Sequence, residues 1–187
     1  MKKLFYFVIS VLMLSGCGTP PKNKCNERCF GIWIDVSLGF KVVSEDGTDL
    51  LNPENENSYK HDEIEIWYLY PDGAYFKEDC PSCVISKGFQ ILYDKNRGYI
   101  MNLMMGSTKG IFNGKYINSQ PETFTTYIHW NATDIDTVYT EFVHRCGTND
   151  PYDAGYCKMY IYDKVYYNGE LIVPGYRKLT SMPVIVK

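Results

Sequence analysis

From Phe30 onward the apolar residues recur at every second position, and that period limits the possible folds more than any other feature. Phe30, Ile32, Ile34 and Val36 alternate with Gly31, Trp33 and Asp35, and Phe124, Thr126, Ile128 and Trp130 share one side of the run from Thr123 to Trp130. A period of two sends alternate side chains to opposite faces of a β-strand, where a helix would repeat every three to four residues. Turn signals punctuate the runs. Glu45-Asp46-Gly47 follows Gly39–Val43, and Pro71-Asp72-Gly73 divides Ile64–Tyr70 from Ala74–Phe76. Asp94–Gly98 is a five-residue loop between Phe89–Tyr93 and Tyr99–Met105. Asn168-Gly169, between Lys164–Tyr167 and Glu170–Val173, is the strongest short hairpin signal available. Thr137–Arg145 and Tyr156–Tyr162 make a further pair, and Val184–Val186 a closing edge strand. No run has a helical pattern. The expected fold is all-β, an antiparallel β-sandwich of roughly nine or ten short strands, with a β-barrel as the alternative. The 17 tyrosines suit it, because aromatic rings pack well on half-buried pleated surfaces.

The first residues are of another kind. Met1-Lys2-Lys3 is basic, and Leu4–Leu14 is apolar but for Ser10. Those eleven residues are too few to span a hydrocarbon core, which takes about 20, and match the apolar region of a signal peptide. Leu14-Ser15-Gly16-Cys17 then resembles the lipobox of bacterial lipoproteins, which implies that residues 1–16 are removed and Cys17 is acylated. Several acyl chains give stable anchoring without a membrane span. Residues 17–29 read as the acylated cysteine and a proline-broken polar tether, and 30–187 as a single β domain. The expected localisation is export, with a lipid anchor in the cell envelope.

Seven cysteines become six once Cys17 carries lipid: Cys25, Cys29, Cys80, Cys83, Cys146 and Cys157. An even number in an oxidising compartment reads as disulfides. Cys146 and Cys157 flank a polar loop between two strands, so they are expected to close a hairpin, worth about 3 kcal/mol on a chain-entropy model. The other four are expected to pair between the two clusters, tying the tether to the body. Local Cys25–Cys29 and Cys80–Cys83 rings are the alternative.

Composition excludes little, but it disfavours nucleic acid. The net charge is −3, two of the basic residues belong to the signal, and no Lys/Arg cluster remains to meet phosphates. Cys80-Pro81-Ser82-Cys83 has the spacing of thiol–disulfide oxidoreductases, yet Val84–Gly88 is not the helix that would activate its first thiol. The same pair with Cys25 and Cys29 could form a four-thiolate zinc site, which an oxidising compartment opposes. Asn149, Asp150 and Asp153, or Asp134 and Asp136, offer oxygen ligands for calcium, but too few, and read as solvated acidic loops. Around His61, His129 and His144 there is no nucleophile elbow and no metalloprotease motif. No metal and no cofactor is expected.

The aromatic clusters carry more. Trp67, Tyr68, Tyr70 and Tyr75, and then Tyr160, Tyr162, Tyr166 and Tyr167, put rings on both faces of their strands. One face must be core. The other could stack on sugar rings or dock a partner protein, with ordinary cross-strand packing as the competing explanation. Asp136-Thr137-Val138 resembles a bacterial O-glycosylation site with Thr137 as acceptor.

Three longer runs resemble small Bacteroides-type cell-envelope lipoproteins: Phe40–Pro53 with its Asp49-Leu50-Leu51-Asn52-Pro53 end, Glu122–Trp130 with Asp134–Val138, and Lys164–Leu171. The resemblance covers most of residues 30–187. It implies a cell-envelope lipoprotein and supplies no catalytic residues, and the anchor is expected in the outer membrane. The expected function is a non-enzymatic binding or structural module, with an envelope glycan or protein as partner. The alternative is a small envelope enzyme, hydrolytic or using Cys80 and Cys83 in thiol redox.

Overall fold

The computed structural model describes residues 32–70, 73–81, 83, 85–106, 123–145, 158–176 and 181–187, with the side chains of 32–34, 144–145 and 158–159 excepted. The chain divides into two compact units. Trp33–Arg145 with Met159–Lys187 forms the sandwich, and the other unit, Met1–Ile32 with Cys146–Lys158, lies almost wholly outside the described residues. The lipobox, the tether and the Cys146–Cys157 pair fall there.

Among the described residues there are eleven strands. They are β1 (Ile32–Asp35), β2 (Ser37–Val43), β3 (Glu65–Leu69), β4 (Tyr75–Lys77), β5 (Phe89–Asp94), β6 (Gly98–Met104), β7 (Thr123–His129), β8 (Ile135–Arg145), β9 (Lys158–Tyr167), β10 (Glu170–Val173) and β11 (Val184–Val186). Seven form one sheet in the order β1-β9-β8-β7-β3-β4, with β10 also on β9, and four form a second in the order β11-β2-β6-β5. Neither sheet closes on itself. The fold is a β-sandwich, and β11 on β2 is a parallel pair in a largely antiparallel architecture.

Alternation explains the core. Leu38, Phe40 and Val42 of β2, Met101 and Leu103 of β6, Ile66 and Tyr68 of β3, and Phe124 and Ile128 of β7 are buried between the sheets. Each such side chain contributes about 1.5–3 kcal/mol on leaving water. The run Phe30–Val36 does not continue as one strand. At buried Val36 the chain passes from β1 in the larger sheet to β2 in the smaller, which a period of two cannot show.

The Asp49–Pro53 motif is structural. Leu50 and Leu51 are buried, and Asp49 Oδ1 accepts from the Leu51 N–H at 3.0 Å while its Oδ2 accepts from the Tyr99 N–H at 3.1 Å, holding the loop to the β5–β6 hairpin. Asn168-Gly169 turns β9 into β10 with φ of 48° and 86°, the positive pair that this type of tight hairpin requires. A register shift at Glu141/Phe142 interrupts the β8–β9 ladder. Beyond it Tyr160 and Ile161, neighbours in sequence, are both buried.

Candidate ligand-binding face

The outward side chains of the larger sheet build an aromatic face. Register sets Trp67 level with Lys77 on one side and Tyr127 on the other, and Leu69 level with Tyr75 and Thr125. The Trp67 indole stacks on the Tyr75 ring at 5.0 Å between centroids and lies 5.8 Å from the His129 imidazole. Tyr127 meets Tyr75 edge-on at 5.6 Å, and the Tyr75 hydroxyl is 3.4 Å from His129 Nε2. Farther across, Tyr139 and Tyr166 pair with centroids 5.8 Å apart. Tyr75 is 49% exposed and Tyr139 38%. Four inter-strand spacings separate β4 from β9, so the rings are spread over about 19 Å.

The charges on this face answer each other. Lys77 pairs with Glu65 at 2.5 Å and Lys164 with Glu141 at 3.0 Å. The Trp67 indole N–H donates to Glu65 at 3.1 Å and the Tyr166 hydroxyl to Glu141 at 3.1 Å. The Lys77 hydrogen bond, followed by that of Trp67, holds the Glu65 carboxyl below the usual range, and Lys164 does the same for Glu141. Burial pushes the Tyr75 hydroxyl up. Rings and hydroxyls are therefore presented among matched pairs, with two carboxylates facing two ammoniums.

The structure sorts the expected contact residues. Trp67, Tyr75 and Tyr166 lie on the outward face. Tyr68, Tyr160 and Tyr167 do not: they are 0%, 5% and 6% exposed and belong to the core. Tyr70 and Tyr162 are half-buried against that core. Tyr127, His129 and Tyr139 were not in the expected set. Tyr127 and His129 follow from alternation once Phe124, Ile128 and Trp130 are placed inside. Thr137 shares their outward register, and its backbone N–H donates to Asn168 Oδ1 at 2.8 Å.

A second polar centre joins the two sheets. Asp136 is 4% exposed at the inward register of β8. Its Oδ2 accepts from the Trp130 indole N–H at 2.6 Å, from the Tyr167 hydroxyl and from the Lys187 ammonium, and its Oδ1 from Asn168 Nδ2 at 2.7 Å. Lys187 also reaches Asp134 at 2.6 Å, and Asp134 accepts from the Tyr59 hydroxyl at 2.6 Å. This corrects the expectation of a solvated acidic loop, since the oxygens of both aspartates are engaged by protein donors. Burial pushes the Asp136 carboxyl up, but its four donors outweigh that and it settles below the usual range. A cleft of about 460 Å³ opens beside it, lined by Tyr167, Glu170, Ile172 and the whole of β11.

The cysteines also need a correction. Cys80 is bonded to Cys83, Cα–Cα 5.3 Å, so the local ring forms and neither sulfur is left for Cys25 or Cys29. Three-residue spacing brings the two thiols together within one turn, closed by the Cys83 N–H donating to the Cys80 carbonyl at 2.8 Å. The bond also withdraws both sulfurs from a four-thiolate zinc site. Among the described residues no group of three or more His, Cys, Asp or Glu side chains converges on a metal position. His129 lies on the aromatic face, and His61 Nε2 is 2.8 Å from the Leu51 carbonyl. The Asn149, Asp150 and Asp153 cluster and the His144 side chain lie outside what is described. Comparison of the chain with protein-family models, with curated proteins and with solved structures finds no match.

Proposed function

We propose that this chain is a non-enzymatic lipoprotein of the bacterial cell envelope, anchored in the outer membrane through Cys17, whose sandwich binds an envelope glycan on the outward face of its larger sheet. The observation that carries the reading is the outward-facing cluster of half-buried Trp67, Tyr127 and His129 around exposed Tyr75, set among self-paired charges. Aromatic side chains that combine an apolar ring with a polar tip suit surfaces that must be both stacked upon and hydrogen-bonded. The C–H faces of a sugar ring supply the first partner and its hydroxyls the second. With Glu65 and Glu141 already neutralised, the face favours a ligand without strong charge.

The test is retention of the full-length chain, in detergent, on insoluble peptidoglycan and on a panel of immobilised neutral polysaccharides. Binding to one of these, reduced at least tenfold by Trp67→Ala and by Tyr75→Ala, is the expected result. Loss of every interaction, or retention indifferent to both substitutions, rejects the glycan reading. Mass spectrometry of the mature N-terminus tests the anchor, with an acylated Cys17 expected and a Cys17→Ser chain released as a soluble protein.

A further inference from the structure

We propose that the free edge of β11, with the cleft beside it, accepts an extended peptide from another protein as an added β-strand. This proposal is independent of the glycan face. It starts from the hydrogen-bond pattern of the parallel pair, in which Val184, Ile185 and Val186 stand opposite Lys41, Val42 and Val43. The Lys41 N–H donates to the Pro183 carbonyl at 3.0 Å, and the Lys187 N–H to the Val43 carbonyl at 2.8 Å. In a parallel ladder this register assigns the backbone groups of Pro183, Ile185 and Lys187 to β2. The N–H and C=O groups of Val184 and Val186 point the other way.

β11 ends the order of its sheet, and no strand among the described residues pairs with that second side. Proteins usually blunt such an edge with charge, proline or a bulge. β11 is three residues long, with Pro183 before it and Lys187 after it, but between those ends Val184 and Val186 are 53% and 61% exposed and carry no charge. The edge does not face open solvent alone. It lines the cleft of about 460 Å³ together with Glu170 and Ile172 of β10. That volume lies in the ~300–1,000 Å³ range of ligand clefts. The two strands that frame it belong to different sheets, so an inserted strand would bridge the open side of the sandwich.

Charge narrows the occupant. Asp136 and Glu170 line the cleft with Lys187, and the Lys187 ammonium is already shared between Asp134 and Asp136. Asp136 is matched by that ammonium, whereas Glu170 is exposed and enters no ion pair among the described residues, which leaves this end acidic. The fitting partner is an extended segment with apolar residues at alternate positions and a basic residue at one end. Main-chain hydrogen bonds supply affinity in this mode and the alternate side chains supply selectivity.

The probe is a capped, fluorescently labelled heptapeptide of alternating valine and threonine with a terminal lysine, titrated against the full-length chain in detergent. Saturable binding is expected, with slowed amide exchange confined to residues 184–187. A peptide N-methylated along its bonding edge, and separately the Val186→Pro chain, should each bind at least tenfold more weakly. Val186→Pro removes an N–H that β2 does not use, and circular dichroism shows whether the variant folds. The N-methylated peptide tests the same bonds on the unaltered protein. Absence of saturable binding, equal binding by the N-methylated peptide, or protection elsewhere (the β5 edge, for example) overturns the proposal. So does concentration-dependent dimerisation that protects residues 184–187 without peptide, which would make a second copy the occupant.

Discussion

Lys187 and Asp136 form an ion pair between the two sheets, with 16% and 5% of their side chains exposed. Lys187 follows β11 of the smaller sheet and Asp136 belongs to β8 of the larger, so the pair clasps the sandwich at its open side. The Lys187 ammonium also lies 5.8 Å from the centre of the Trp130 ring, which itself stacks on Tyr59. Two carboxylates (Asp134 and Asp136), one ammonium and three aromatic residues (Tyr59, Trp130 and Tyr167) thus share a polar knot at the margin of the core.

Breaking such a pair by removing one partner strands the other, at a usual cost of about 3–5 kcal/mol. Asp136→Asn keeps the shape and part of the hydrogen bonding, and Asp134 still holds Lys187. The expected loss is therefore at the low end, about 3 kcal/mol, read from urea denaturation with an unchanged m-value. A loss under 1 kcal/mol would mean that the pair is worth no more than a surface one.

Acid should act through the same carboxylate. The folded-state value of Asp136 is depressed, so its stabilisation is complete above the unfolded value of about 3.9 and disappears as pH falls through the lower folded one. Stability should therefore drop steeply below about pH 4 in the natural chain and more gently in Asp136→Asn. Glu65 and Glu141 shift in the same direction, but their pairs are exposed and weaken in salt. Unfolding curves recorded in about 0.5 M salt isolate the buried contribution. Parallel curves for the two proteins would show that Asp136 does not govern acid lability.

Trp67 and Tyr68 are neighbours on β3 that point to opposite faces, and their alanine variants should separate binding from folding. Tyr68 is wholly buried and its hydroxyl donates to the Met104 carbonyl at 2.9 Å, so Tyr68→Ala should cost about 3–5 kcal/mol. Trp67→Ala loses the stack on Tyr75, about 1 kcal/mol, and should abolish glycan retention while the protein stays folded. Thermal melts alongside the retention assay check both. Equal destabilisation by the two variants would place Trp67 in the core.

Much of this arrangement could be read along single strands. Alternation identified β7, turn signals bounded the runs that became β2 and β3, and the positive-φ turn at Asn168-Gly169 follows from residue type alone. What could not be read lies between strands. The ladder shift at Glu141/Phe142 breaks the period of two, so Tyr160 cannot be assigned a face by counting back from Tyr166. Asp136 was read as loop because the strand was drawn from Thr137, although it sits two positions before buried Val138 and so takes the inward register. Its partner Lys187 is 51 positions away and belongs to no local pattern. The local Cys80–Cys83 bond lost out to a longer-range pairing that spacing did not demand.

Two buried hydroxyls should be replaceable at a profit in stability. Thr126 and Thr140 are fully buried on β7 and β8, and their Oγ1 atoms have no hydrogen-bond partner among the described residues. An unmatched buried polar group costs about 1–3 kcal/mol, and valine has nearly the same shape without it. Thr126→Val and Thr140→Val should each stabilise by about 1 kcal/mol, visible as a raised urea midpoint. Destabilisation by either would reveal a hydrogen bond that its hydroxyl does make.

Gly88 is where a single methyl group should do most harm. Its φ is +78°, and a Cβ there would lie 2.9 Å from the Tyr68 hydroxyl oxygen and 3.2 Å from Glu78 Cγ. The Gly88 carbonyl accepts from the Met104 N–H at 2.8 Å, so the backbone cannot simply retreat from the buried tyrosine. Gly169 provides the comparison, because its φ is +86° and nothing lies within 4 Å of a Cβ. Gly169→Ala should cost only the left-handed conformation, about 1–2 kcal/mol. Gly88→Ala pays that and must also displace the Tyr68 hydroxyl from the Met104 carbonyl, a further 1–3 kcal/mol or so. Measured by urea denaturation, the gap between the two variants reports the close approach itself, and adding Tyr68→Phe to Gly88→Ala should narrow it. If the two glycines cost the same, the contact between Gly88 and Tyr68 has slack enough for a methyl group, and the packing at that end of β3 is looser than the distances indicate.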